Sequence, residues 1–364
     1  MVKVLIPTKP DDNDALYVKL ALEKRGHECV VWYTADFPQK QTHSFELFQN
    51  KIYWSARGVD FRVNPDDHFG VVWYRRPRQP CLPDAIHPDD IPNARNENLA
   101  LFKTFWHVLA PNAFWINPVD ASNKASCKLL QLRVAMEVGL NIPDTLFSND
   151  PGQIKVFIDR YNNENVIYKT LHPLIWINQE EMRLTYTNEI KIENLPSDTI
   201  LQYTPGIFQN KVAKQFELRV TYFGEHYVAV KIDSQQDQRS KMDWRNVPGH
   251  QLQLSEFQLP DEIDAKCKAL MRKMGLVMGC FDMIVTPDNE YYFLEVNEQG
   301  QFLWVEEYLP DVRMLDMFCN FIINGSMSYG KASPKPVRMT DLRSHIYDLK
   351  KDVMDKHVKP ADRY

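Results

Sequence analysis

The stretch "GCFDMIVTPDNEYYFLEVNEQGQFLWVE", Gly279 to Glu306, sets a carboxylate and an amide, Glu295 and Asn297, inside an apolar run. A polar group in a buried strand costs free energy unless something pairs with it. The turn signal Thr286-Pro287-Asp288-Asn289-Glu290 makes the preceding apolar run the partner strand. A loop of two residues (Asp288-Asn289) or of four (Pro287 to Glu290) gives a register that pairs Asp282 with Glu295. Their Cβ atoms would lie ~4.5–5.5 Å apart. Asn297 shares their face, because side chains two apart in a strand point the same way. The other face is expected to carry Phe281, Met283, Val285, Tyr292, Leu294 and Val296.

Opposed carboxylates repel unless a cation or proton sits between them. An Asp, a Glu and an amide oxygen converging on one spot suit a hard, oxygen-preferring cation, most simply Mg²⁺. Mg²⁺ takes few carboxylates and completes its shell with waters and phosphates, so a nucleotide is expected as well. The alternative is a solvent-exposed hairpin face with no ligand.

The 364 residues are enough for two or three domains, and 44% hydrophobic with 25% charged residues is ordinary for a globular protein. A net charge of −5 argues against nucleic acid as partner. The six cysteines (29, 81, 127, 267, 280 and 319) show no CxxC spacing, which suits reduced thiols. MVKVLIP lacks a basic region followed by a long apolar run, so no signal peptide is expected, and no apolar run approaches the ~20 residues of a membrane span. A cytoplasmic location away from membranes is expected.

The first hundred residues alternate strand and helix: strands at Val2–Ile6, His27–Tyr33 and Gly70–Tyr74, helices at Asp11–Arg25 and Asn93–Leu109. That order predicts a parallel sheet with covering helices. A second unit opens near Asn117-Pro118, with one helix over Ala121–Val138, a helix over Pro151–Tyr161 and a strand over Asn165–Thr170. From Leu201 to Val305 strands dominate (ILQYTPG, FELRVTYFG, HYVAVKIDS), with a helix over Asp261–Met274. Beyond Gly330 the tail is proline-interrupted and charged: a docked helix, a partner contact or an appended remnant.

Phosphate-binding cations are sought at Lys124 (ASNKASCKLL) and Lys169 (NVIYKTL). GxxxxGK[ST] and GxGxxG are both missing, which leaves Walker-type and dinucleotide sites unsupported. The order of two lysines, TILQYTPG, FELRVTYFG and the Asp…Glu-x-Asn hairpin resembles the ATP-grasp superfamily of carboxylate ligases over about residues 115–325. The resemblance implies a mixed α/β (α+β) fold in three units. A pre-ATP-grasp domain would span 1–115, a central subdomain 116–200 and a C-terminal antiparallel-sheet subdomain with the metal site 201–330, followed by the tail 331–364. It further implies that Lys124 and Lys169 hold nucleotide phosphates and that Gln202 and Tyr203 form the adenine-facing linker. Asp282, Glu295 and Asn297 would be the metal ligands, Arg219 a phosphate or acyl-phosphate ligand, and Glu217 a member of the nucleotide site or merely the residue that orients Arg219.

Three further stretches, Trp73-Tyr74-Arg75-Arg76-Pro77, IDSQQDQRSKMDWR and GQFLWVE, resemble the microviridin-type graspetide synthetases. Those macrocyclases use ATP to phosphorylate an Asp or Glu of a ribosomal precursor peptide. A Ser or Thr hydroxyl, or a Lys amine, then closes an ester or amide ring. The resemblance implies a leader-and-core precursor and a homodimer as partners. Arg75, Arg76 and Gln301 would meet the acidic core, with Lys231, Asp233, Asp243 and Arg245 near the chemistry. Asp233 or Asp243 would accept the nucleophile's proton or merely pair an arginine; Arg75 and Arg76 would otherwise be a structural pair at a domain seam. Trp244 and Trp304 are expected as packing anchors. The aromatic 172–186 segment is a candidate groove for a leader helix, or simply subdomain core. Other readings are a ligase that adds amino acids to a protein tail or small acid, and a silent ATP-binding regulator.

Overall fold

A computed structural model describes residues 1–172, 175–177, 182–184, 187–247, 251–330, 333 and 336–359. The chain begins β1 (Lys3–Thr8), α1 (Asn13–Lys24), β2 (Glu28–Tyr33), β3 (Thr42–Phe48), β4 (Lys51–Arg57), β5 (Arg62–Val63) and β6 (Val71–Trp73). Next come α2 (Ile91–Val108), β7 (Phe114–Ile116), α3 (Val119–Ala125), α4 (Lys128–Glu137), β8 (Thr145–Ser148), α5 (Pro151–Arg160) and β9 (Val166–Lys169). After β10 (Ile175–Ile177), β11 (Met182–Leu184) and β12 (Asn188–Ile190) follow α6 (Asp198–Tyr203) and β13 (Gly206–Asn210). The last part holds β14 (Phe216–Phe223), β15 (His226–Ile232), β16 (Leu254–Phe257), α7 (Asp261–Met274), β17 (Met278–Val285) and β18 (Tyr291–Asn297). It ends with α8 (Trp304–Tyr308), α9 (Met314–Asn324) and α10 (Arg343–Lys356).

The expected parallel sheet is present, in the order β2-β1-β6-β7. One face packs on α1, α9 and α10 through Leu16, Phe318 and Ile346. The other buries an aromatic cluster of Trp32, Trp54, Phe61 and Phe105 under the three-stranded β3-β4-β5 sheet. That small sheet was not read from the sequence. Two antiparallel sheets follow: β12-β9-β13-β8, and β16-β15-β14-β17-β18 backed by α3, α4 and α7. No described helix is long and apolar enough to cross a membrane.

Several expectations need correction. Ile200–Tyr203 is helical, and the strand starts only at Gly206, past Pro205. The Ser197-Asp198 pair opens that helix, with an acidic residue in its first turn where the dipole favours it. The single helix expected over Ala121–Val138 breaks at Cys127, whose backbone is extended. The Gln131 side chain stabilises the break by donating to the Ala125 carbonyl. Its amide also donates to Val296 O at 2.9 Å and accepts from Val296 N at 2.8 Å, so α4 lies along the free edge of β18. The charged tail is a docked helix. Glu306 accepts from Met339 N at 2.7 Å, and His357 Nδ1 lies 2.6 Å from Asp36 Oδ2.

The hairpin keeps the Asp282–Glu295 pairing by a different route. Val285 pairs with Tyr291 across a longer loop, and the register then shifts between Asp282 and Met283. That bulge removes Tyr292 and Leu294 from the expected apolar set and puts Phe293 in the core beside Met283.

Asn117 joins the parallel sheet to β17. Its Oδ1 accepts from Val277 N (2.7 Å) and Met278 N (2.9 Å), and its Nδ2 donates to Met278 O (2.9 Å) and Glu298 O (2.8 Å). Asn117→Ala strips partners from buried backbone groups and is expected to lower stability by about 2–4 kcal/mol. Urea denaturation checks this; an unchanged midpoint would refute the role of this amide as a joint.

Candidate functional site

A cleft of ≈ 730 Å³ opens between the two antiparallel sheets and reaches the rim of the parallel one. Its apolar end is a slot between Phe147, Ile167 and Ile207 on one sheet and Ile284 and Leu294 on the other. Leu294 stands there because it is the bulged residue. At the slot's edge runs Gln209–Val212, leaving β13. Gln209 is buried, donates to Thr145 Oγ1 at 2.9 Å, and has an Oε1 with no partner among the described residues.

Beyond the slot the charged groups converge. Asp282 and Glu295 face each other across β17 and β18, and Asn297 Nδ2 donates to Asp282 Oδ2 at 3.1 Å. Arg219 lies opposite Asp282 on β14; its Nη1 donates to both carboxylate oxygens at 2.8 and 2.9 Å, and its Nη2 to the Gln301 carbonyl at 3.0 Å. Arg219 Nε is buried with no partner among the described residues. Lys128 Nζ pairs with Glu295 Oε2 at 3.1 Å from the first turn of α4. Burial alone would raise the pKa of both carboxyls. For Glu295, Lys128 and Lys169 outweigh burial and bring it down to about 2, whereas Asp282 stays above its ordinary value despite Arg219. Lys169, at the end of β9, is lowered to about 8, by burial first, with Glu295 opposing and Lys128 and Arg245 adding to the shift.

Two oxygen-bearing carboxylates and one amide on a single face fit a cation that completes its shell with water and phosphate. Among the described residues no cluster of three or more His, Cys, Asp and Glu forms, so the donors do not suit a transition metal held by protein alone.

Arg245 and Asp243 also line the cleft. Asp243 receives Arg245 Nε at 2.8 Å and Nη2 at 2.6 Å. Burial would raise Asp243, but this pairing overrides it and holds the carboxyl below its ordinary range, which makes it a poor proton acceptor. Glu217 is raised by burial against the pull of Lys214, whose Nζ lies 3.0 Å from it. Glu217 therefore pairs with Lys214 and not with Arg219.

Other residues singled out in the sequence fall elsewhere. Lys124 is exposed on α3 outside the cleft, and Lys128, at the start of α4, enters it. Gln202 and Tyr203 sit on α6 outside the cleft, Tyr203 being 79% exposed, whereas Gln209–Val212 lines it. Lys231 and Asp233 pair with each other at 2.8 Å. Lys231 lies opposite Leu218 and over the Phe216 ring, so strand alternation puts it on the face away from Arg219. Arg75 is buried, holding Asp12 (3.0 Å) and Asp14 (3.1 Å) and donating to the Gln299 and Gly300 carbonyls. It is a seam residue whose guanidinium is fully engaged where it reaches the cleft wall, whereas Arg76, which also lines the cleft, is half-buried and in no ion pair among the described residues. Gln301 lines the cleft and lends its carbonyl to Arg219. The 172–186 segment lies largely outside the described residues.

No protein-family model and no curated protein sequence matches the chain. Solved structures do. A RiPP-associated ATP-grasp ligase of Chryseobacterium gregarium, in complex with ADP and a leader and core peptide, is 25% identical with a TM-score of 0.80, over 92% of this chain and 100% of that one. Macrocyclase MdnC of Microcystis aeruginosa MRC, bound with precursor peptide MdnA, is 30% identical with a TM-score of 0.76, over 89% and 100%. Macrocyclase MdnB of the same organism is 28% identical with a TM-score of 0.73, over 88% and 99%. With MdnC matched at that identity along its whole length, the chain belongs to the RiPP-associated ATP-grasp ligases.

Proposed function

We propose that this ligase is a peptide macrocyclase that activates Asp or Glu side chains of a ribosomal precursor peptide and closes rings onto Ser or Thr hydroxyls or Lys amines. The observation that carries the reading is the convergence of Arg219, Asp282, Asn297, Glu295 and Lys128 at the charged end of a cleft whose other end is an apolar slot. The slot suits adenine, and the unpaired Gln209 Oε1 suits the donor edge of that base. Lys128 and Lys169 would hold the phosphates of ATP. Asp282, Glu295 and Asn297 would hold Mg²⁺, which when bound neutralises phosphate charge.

Arg219, with its free Nε, and Arg245 are set to neutralise the reacting groups. The γ-phosphoryl moves to a carboxylate oxygen of the peptide and ADP leaves. The hydroxyl or amine then attacks the carbonyl carbon, the C–O bond to phosphate breaks, and the nucleophile's proton is lost. Each ring removes one water from the peptide at the expense of one ATP. Positioning and charge neutralisation supply the catalysis. Arg76 and Gln301 are proposed to meet the acidic core. A homodimer, a cytoplasmic setting with the six free thiols reduced, and the subdomain limits at 115 and 200 belong to the same reading.

Three outcomes test it. With ATP, Mg²⁺ and the precursor encoded beside the gene, intact mass is expected to fall by one water per ring with ADP released; a gain of an amino-acid mass would refute macrocyclisation. Glu295→Gln and Asn297→Ala are each expected to abolish turnover with an unchanged circular dichroism spectrum, and full activity in both would remove the metal assignment. Lys128→Met is expected to lower kcat about 100-fold, while the exposed Lys124→Met stays near wild type. Parallel steady-state assays decide between the two lysines.

A further inference from the structure

Three half-buried rings, those of Trp244, Trp304 and Tyr308, line the cleft and take part in none of the steps above. Trp244 and Trp304 stack with centroids 5.0 Å apart and planes inclined by 29°, and Tyr308 lies 6.4 Å from Trp304. The two indoles come from separate segments, one from the connection after β15 and the other from α8.

Both are held from behind by buried polar groups. Lys214 donates to the Met242 carbonyl at 3.0 Å, and Asp243 accepts from Arg245 N at 3.1 Å, which fixes the backbone on either side of Trp244. Glu306 accepts from Leu315 N at 2.8 Å and from Met339 N at 2.7 Å, which fixes α8. Trp304 Nε1 already donates to the Gln301 carbonyl at 3.1 Å. What the ring offers the cleft is an apolar face, not a donor. A stacked pair anchored on both sides and left half-exposed receives a third ring with little loss of freedom.

Its surroundings name the occupant. Trp244 is flanked by Asp243 and Arg245, and consecutive Cα atoms are ~3.8 Å apart. The Gln301 carbonyl that holds Trp304 also receives Arg219 Nη2. The pair thus adjoins both guanidinium groups proposed for the reacting carboxylate, and it draws on none of the apolar slot residues. We propose that Trp244 and Trp304 form a subsite for an aromatic side chain about one or two residues from the reacting acid, so that the ring pair selects which acid of a core peptide is activated. This rests on the macrocyclase reading and deepens it.

The test measures binding of short acidic peptides to the full chain with ADP and Mg²⁺. The peptides are identical except for Tyr or Ala beside their single Glu. The wild-type chain is expected to bind the Tyr peptide about tenfold more tightly, the scale of one aromatic contact. Trp304→Ala and Trp244→Ala are expected to erase that preference, Trp304→Phe to keep most of it, and all three to move the Kd for ADP by less than about twofold. Equal affinity of the wild type for both peptides overturns the subsite, as does a preference that survives in both alanine variants. If the rings only pack, melting temperature and ADP affinity fall together while the Tyr-over-Ala ratio stays put, which also overturns it. Failure of the wild type to bind ADP would strike the ligase reading instead, and the Tyr–Ala ratio would still decide the subsite.

Discussion

Two carboxylates facing each other across neighbouring strands must be met by positive charge, and much of this protein's local structure meets that demand. Asp282 draws Arg219 from the adjacent strand in register, and Glu295 draws Lys128 from a helix on the other side. Lys128 reaches Glu295 because the helix breaks at Cys127 and because Gln131, on the same short helix, takes both backbone groups of Val296. A side-chain amide thus finishes the edge of the sheet at Val296 and places a lysine on the carboxylate of the residue before it, Glu295. The pair is asymmetric: Lys128 and Lys169 bring Glu295 down against its burial, whereas burial and the neighbouring Glu295 charge keep Asp282 raised against Arg219.

A second buried charge cluster ties this site to the parallel sheet. Arg75 is surrounded by Asp12, Asp14 and the carbonyls of Gln299 and Gly300, and Asp14 also accepts from Phe302 N at 3.3 Å. Removing one member of such a cluster strands the others, at a cost of about 3–5 kcal/mol. The loop it holds begins just past Asn297 and includes the carbonyl that steadies Arg219. Gly300, at φ +28, lies so close to Cys280 that a Cβ would run into the sulfur, so the loop hugs β17 only with glycine there. The N-terminal sheet therefore fixes the geometry of the charged end without placing a side chain of its own on Asp282 or Glu295.

Much of the site was legible in the sequence where alternation and turn chemistry act locally. Asp282 and Arg219 are directly paired, and Glu295 and Asn297 lie two apart on one strand, so each pair shares a face by alternation alone; the two pairs meet on the same face because the Leu294 bulge offsets the one extra residue of the tip. The expectation rests on Lys124 because ASNKASCKLL reads as one continuous helix: no glycine or proline marks the break at Cys127 that turns Lys128 towards Glu295. The helix at Ile200–Tyr203 defeated a reading of β-prone residues, since its start signal, Ser197-Asp198, was outweighed by the apolar run behind it. Lys231 and Asp233 looked catalytic beside Asp243 in sequence. Register with Leu218 sends them through the sheet, and that fact depends on the partner strand. Arg75 and Arg76 were adjacent and alike; only tertiary contacts separate the one that is buried among carboxylates from the one that faces the cleft.

The bulge at Leu294 has a consequence for how this hairpin can vary. Between Asp282 and Glu295 the chain holds an offset of one residue, absorbed by Leu294, and only that offset returns both carboxylates to the same face. Inserting or deleting a single residue at the 286–290 tip would need an equal and opposite change in the bulge, or every side chain on β18 would exchange core for cleft. The tip is thus quantised in length, and its sequence is held as well, by the buried Thr286 hydroxyl that accepts from Glu290 N at 3.1 Å and by Asn289 at φ 58. Indels there should travel in compensated pairs.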